Sequence, residues 1–234
     1  MAQIQPLPGH PSSADLAASR SLRTAPRAPH RLLLAGGMAA GPLFLVAGLA
    51  QGLTRDGFDF GRNALSQLSL GPLGWMQITV FLLTGALALA GAAGARQVLR
   101  ERPGGTWAPR LIAVFGVSFL LAAVFTADPG AGFPAGAPEE APSSLSWHGA
   151  LHMASAMIGY LSLCAASFVL ARHFAAAGRR GWAWASRLVP AAVLAGFAAS
   201  SATVAAFTAG AALGLLWLTT LTARLSTLTA DTGR

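Results

Sequence analysis

The stretch LLLAGGMAAGPLFLVAGLAQGL, residues 32–53, contains no Asp, Glu, Lys or Arg. A helix rises 1.5 Å per residue, so about 20 apolar residues cross the hydrocarbon of a bilayer. This stretch is long enough to do so. Three further runs share its character: 75–94, 111–127 and 147–171. Beyond Arg187 comes an uncharged stretch, 188–223, too long for one span and a little short for two full ones. It reads as a tight helical pair. The expected helices are 32–53, with Gly41-Pro42 as a kink point in its interior, then 75–95, 111–127, 147–171, 184–204 and 207–226. The last turn is expected within 200–210, around Ser200-Ser201 or Thr208-Ala209-Gly210.

Composition agrees with a membrane domain. Of 234 residues, 54% are hydrophobic and 10% charged, against about 25% charged in soluble domains. The expected class is all-α: a polytopic bundle of six transmembrane helices in one domain, 31–227, with a short C-terminal tail at 228–234. The formal net charge is +8, and every basic residue is Arg. Those arginines border the spans, so the bilayer with its anionic headgroups is the expected partner rather than nucleic acid. Nothing in the sequence names a protein partner. The single cysteine, Cys164, falls inside an apolar run and excludes an intramolecular disulfide. Residues 1–30, rich in Pro, Ser, Ala and Arg, read as a disordered cytoplasmic tail. They do not read as a signal peptide, because the first apolar run starts only at Leu32 and lacks a cleavage site after it.

The arginines test the span model. Arg20, Arg23, Arg27 and Arg31 precede the first helix. Arg96, Arg100, Arg102 and Arg110 flank the second turn, and Arg172, Arg179, Arg180 and Arg187 flank the fourth. Arg224 and Arg234 close the chain, and only Arg55 and Arg62 fall on the other side. Such a bias predicts both termini in the cytoplasm.

Chemistry, if present, is expected at the opposite, extracytoplasmic side, where three segments meet. The first runs over 54–74 and contains Arg62-Asn63-Ala64-Leu65-Ser66-Gln67-Leu68-Ser69, a short interfacial helix by its spacing. The second is Thr126-Ala127-Asp128-Pro129-Gly130, and the third Trp147-His148-Gly149-Ala150-Leu151-His152. His148 and His152 share one helix face, which continues through Ser155, Gly159 and Ser162. Polar and small residues on a membrane helix face protein or water, so this face should point into the bundle, with His152 deeper and more buried than His148. One reading is a structural network in which His152 bonds Ser66, Asn63 or Asp128. The other is a metal platform: an i,i+4 His pair with Asp128 as third ligand of zinc. Gly149 stands where an H-E-x-x-H peptidase carries its glutamate, which excludes that peptidase chemistry. No cofactor is needed by the first reading, and zinc only by the second.

Several short motifs occur in order and carry a family resemblance: Ser66-Gln67-Leu68-Ser69, Gly74-Trp75-Met76-Gln77, Phe125-Thr126-Ala127-Asp128-Pro129, His148-Gly149-Ala150-Leu151-His152 and Leu216-Trp217. With them the chain, over roughly 32–226, resembles the family called domain of unknown function 998. The resemblance implies a six-helix bacterial or archaeal membrane protein and no known activity. The pattern of Ser, Asp and H-x-x-x-H near one membrane face is also similar to the seven-helix hydrolases related to alkaline ceramidases. That likeness implies zinc chemistry, with Ser66, Asp128, His148 and His152 matching in type. Its third histidine has no counterpart, since His173 belongs to the other side and His10 and His30 to the N-terminal region.

Two function classes follow. The first is a non-catalytic membrane protein whose polar cluster, Arg62, Asn63, Ser66, Gln67, Asp128, His148 and His152, is structural or binds a small ligand or lipid. The second is a zinc-dependent hydrolase of a lipid-like substrate. There Ser66 would orient water or an oxyanion, and Glu139 or Glu140 would act as base. A transporter is disfavoured, because no span carries a charged or strongly broken centre.

Overall fold

The computed structural model describes residues 29–140 and 144–231. Among these the chain is all-helical, without strands, and has six helices long and apolar enough to cross a membrane. They are α1 (Pro29–Thr54), α2 (Gly74–Val98), α3 (Trp107–Val124), α4 (Trp147–Ala176), α5 (Arg180–Ala198) and α6 (Val204–Asp231). Two short 3-10 turns, Leu65–Ser69 and Ala199–Ser201, complete the secondary structure. The tail expected over 1–30 lies outside the described residues, except for its last two, which belong to α1.

The helices outrun the uncharged windows where arginines cap them. Arg110 lies in the first turn of α3, Arg187 two turns into α5, and Arg224 well inside α6. Each rests its guanidinium over an indole: Arg110 on Trp107 at 5.7 Å, Arg187 on Trp184 at 5.3 Å and Arg224 on Trp182 at 5.6 Å. A long side chain carries its charge to the interface while its stem stays on apolar surface, so charge does not end a helix as it ends a composition window. The α6 helix likewise runs on through 228–231, where a short tail was expected.

At two points the helix is shorter than its apolar run. The run 111–127 was expected to be helical throughout, but α3 stops at Val124 and Phe125 is extended (φ −99°, ψ 104°). Pro129 follows closely and disfavours helix in the residue before it. In the α5–α6 pair the break falls at Ala202-Thr203, just after the Ser200-Ser201 alternative. Gly210, the other turn candidate, is instead a packing residue. A Cβ on it would press on the Val193 carbonyl and the Gly196 Cα of α5.

Small residues set the helix crossings. Gly37 of α1 meets Gly91 of α2, Gly85 of α2 meets the Gly116 backbone of α3, and Gly159 of α4 abuts Ser118 of α3. Membrane helices gain little from hydrophobic drive and associate by such close approach. Each helix packs on its sequence neighbours, and α6 closes the ring on α1. Contacts run antiparallel: Gly94 lies by Leu34, while Gln77 bonds Gln51. The start of α1 and the end of α6 therefore share one end of the bundle, the end that also holds the α2–α3 and α4–α5 turns and most arginines. The other end is Arg-poor and carries the longer connections.

Across the Arg-poor half of the bundle runs a chain of rings. Phe44 contacts Phe81 and Phe119, each at 5.3 Å between centroids. Phe119 contacts Phe115 at 5.0 Å, Phe115 contacts Tyr160 at 5.2 Å, and Tyr160 contacts Phe197 at 4.9 Å. Edge-to-face and tilted pairs of this kind add to simple area burial. They join α1 and α2 through α3 and α4 to α5.

Candidate functional site

The polar cluster expected at the Arg-poor end is divided by the structure into a cap and a helix start. The cap is built on Asn63 and Gln67. Asn63 is buried, takes the Asp59 N–H on its Oδ1 at 2.9 Å, and donates to the Ala131 carbonyl at 3.2 Å. Gln67 takes the Ala64 N–H at 3.0 Å and donates to the Gly130 carbonyl at 3.2 Å. These amides satisfy backbone groups of two loops at once, which a buried irregular segment requires. Arg62 lies at the rim, paired with the Glu139 carboxylate at 2.8 Å and well exposed. An exposed pair of this type contributes little stability.

Arg55, not among the expected site residues, holds the cap from below. It donates to the Leu68 and Leu70 carbonyls at 3.1 and 2.6 Å and lies over the Phe133 ring at 5.2 Å. Phe133 is buried and contacts Phe58, which in turn contacts Phe60. In the sequence the signal was present, one of two arginines on the wrong side of the charge bias. Its carbonyl partners were not legible.

Asp128 belongs to the start of α4. Both its carboxylate oxygens accept from Ser146, one from the N–H at 2.8 Å and one from the hydroxyl. Ser146 is the N-cap, and its hydroxyl oxygen accepts the Gly149 N–H at 3.0 Å. A carboxylate at a helix N-terminus is favoured by the exposed N–H groups and the helix dipole. Gly149 is required there, since a Cβ on it would overlap the Asp128 carboxylate.

The histidines separate. His148 is half-buried and lies against Trp147 and Phe125. His152 is 3% exposed, and its Nδ1 meets the Phe125 carbonyl oxygen at 2.8 Å. The expected partners Ser66, Asn63 and Asp128 are thus replaced by the backbone freed where α3 ends early. The stripe beyond it, Ser155, Gly159 and Ser162, is buried against protein as its spacing implied.

Zinc does not fit these residues. Among the described residues no group of three or more His, Cys, Asp or Glu side chains is placed to hold a metal ion. Asp128 is engaged with Ser146, and Nδ1 of His152 with a carbonyl. His173 is at the far end of α4, remote from His152.

Between these elements lies a cavity of about 360 Å³. Phe44 of α1, Phe81 of α2, Phe119 of α3, Met153, Met157 and Tyr160 of α4, and Phe207 and Leu215 of α6 form its apolar walls. Ala64, Leu65 and Ser66 of the cap and His152 close it on the Arg-poor side. Among the described residues, Ser118, Ser200, Thr208 and the Tyr160 hydroxyl are the other polar groups that line it, and no Asp, Glu, Lys or Arg does. A concave, mostly apolar space with a few convergent polar groups is what small-molecule sites look like.

The model of the family described as Protein of unknown function (DUF998) matches residues 38–224. The chain belongs to this family. The match spans α1 from Met38 through Arg224 in α6, so the cap, the α4 start and every cavity-lining residue lie within it. No curated protein and no solved structure matches the chain.

Proposed function

We propose that this member of the DUF998 family is a non-catalytic plasma-membrane protein that binds a small lipid-like molecule in the cavity bounded by His152 and Ser66. The observation that carries this reading is the cavity itself, in a chain whose helices are otherwise drawn together by glycine contacts. Packed interiors rarely leave voids larger than a water molecule, because each lining atom loses its contacts. A space of about 360 Å³ open among aromatic rings offers room for an apolar occupant. The cap then acts as a lid that closes the cavity toward the aqueous side. The arginine bias supports placing that lid outside the cytoplasm.

The test is native mass spectrometry of the protein released from its own membrane in mild detergent. The wild-type chain should carry a lipid-sized adduct. Ala156 lines the cavity from α4, and Ala156→Trp, which fills the space, should remove the adduct while the protein remains folded. A wild-type chain free of adduct, or an adduct unaffected by the tryptophan, overturns the reading. Stoichiometric zinc in the same purified protein would instead favour a metal-dependent hydrolase.

A further inference from the structure

Hydrogen-bond bookkeeping inside the cavity goes further, resting on the reading that the cavity is a ligand site. His152 presents Nδ1 to the Phe125 carbonyl at 2.8 Å. A carbonyl oxygen only accepts, so Nδ1 carries the hydrogen. In the neutral ring the second nitrogen, Nε2, is then an acceptor. Ser118 spends its hydroxyl hydrogen on the Phe115 carbonyl at 2.7 Å, and Tyr160 spends its own on the Ala211 carbonyl at 3.1 Å. Each of these oxygens retains only lone pairs. These three groups of α3 and α4 thus offer acceptors, while the hydroxyls of Ser66, Ser200 and Thr208, which also line the cavity, can donate as well. Among the described residues no charged side chain lines the space to balance an anion or a cation. Burying an unpaired charge there would be far more costly than burying a hydroxyl that finds a partner.

Access points to the same source. Met153 and Met157 line the cavity yet are 46% and 47% exposed. They lie about 9 and 15 Å along α4 from its first residue, by the 1.5 Å rise. The cavity therefore reaches the side of the bundle at hydrocarbon depth, where flexible methionines adapt to a passing chain.

We propose that the ligand is a neutral single-chain amphiphile drawn from the bilayer, whose hydroxyl donates a hydrogen bond to Nε2 of His152 while its chain lies among the Phe44, Phe119 and Phe207 rings. A carboxylate or a phospholipid headgroup brings a charge that no lining side chain among the described residues balances; a long-chain alcohol or a monoacylglycerol brings a hydroxyl and no charge.

The experiment uses the full chain in nanodiscs of neutral phospholipid, with three tritiated probes: lauryl alcohol, lauryl methyl ether and laurate. Binding is counted relative to each probe's retention by empty nanodiscs. The alcohol should bind at least tenfold more tightly than the ether, which has the same chain but no donor, and laurate should bind least. His152→Phe should bring the alcohol down to the level of the ether. The probe series on the wild-type chain needs no variant, so a folding defect in His152→Phe leaves the question answerable. Equal binding of alcohol and ether, or preferred binding of laurate, overturns the donor requirement and leaves the cavity reading intact. Retention of no probe, with Ala156→Trp indistinguishable from wild type, overturns both.

Discussion

Gly149 shows how one residue can exclude one chemistry and enable another arrangement. Its lack of a side chain removes the glutamate a zinc peptidase would need, and it lets the Asp128 carboxylate lie on the first turn of α4. Gly149→Ala should push that carboxylate off its Ser146 partners and cost about 1 kcal/mol or somewhat more, the usual value of a helix cap. Thermal unfolding in detergent would show it, and Ser146→Ala should give a loss of similar size. His152 and His148 make a sharper pair. His152→Ala leaves the buried Phe125 carbonyl without its donor, a loss on the order of 1–3 kcal/mol. His148→Ala removes a half-buried ring that lies against Trp147 and Phe125 and should cost clearly less. Equal losses would contradict the different roles assigned to them. The shared face of the two histidines was legible from their spacing. The Phe125 carbonyl was not, because a backbone acceptor becomes available only where a helix ends, and sequence windows place helix ends poorly.

Between elements, the joint of α1 with α2 carries the most specific contact. Gln51 donates to the Gln77 side-chain oxygen at 2.7 Å, with Gln77 fully buried. The remaining oxygen of Gln51 and nitrogen of Gln77 are buried and have no partner among the described residues. Truncating one amide strands the other, whereas removing both removes the need. Gln51→Leu and Gln77→Leu should each lower stability by about 1–3 kcal/mol, and the double variant should recover most of that. A reversible unfolding titration of the four proteins would decide; strictly additive losses would rule out the pair as a unit. Gln77 belongs to the Gly74-Trp75-Met76-Gln77 motif, yet its partner in α1 was invisible in the sequence. A polar residue near a helix start is ambiguous between interface anchor and buried clasp until its neighbour is known.

For the whole molecule, antiparallel packing of six helices returns the chain to the end where it began. Ten arginines of the described residues lie in that half, against Arg55 and Arg62 in the other. Cytoplasmic and periplasmic reporters fused after Arg234 and inserted within the 128–146 connection should therefore give opposite readings, the C-terminus reporting cytoplasm. The same reading from both positions would refute the six-span topology.

Span number and the family were open to reading from the chain alone because both depend on local properties: uncharged length near the bilayer thickness, and short motifs in fixed order. Lipid solves most of the folding problem in advance by forcing each run to satisfy its own backbone hydrogen bonds as a helix. The inward face of α4 followed from the 3.6-residue period for the same reason. Tertiary structure alone decided what Asp128, His148 and His152 do, since their partners lie on other elements. It settled Asp128 on a helix cap, His152 on a carbonyl, and Arg55 under the cap. It also left a cavity among rings contributed by helices far apart in sequence. A void is the absence of contact between elements, and no single stretch of residues encodes it.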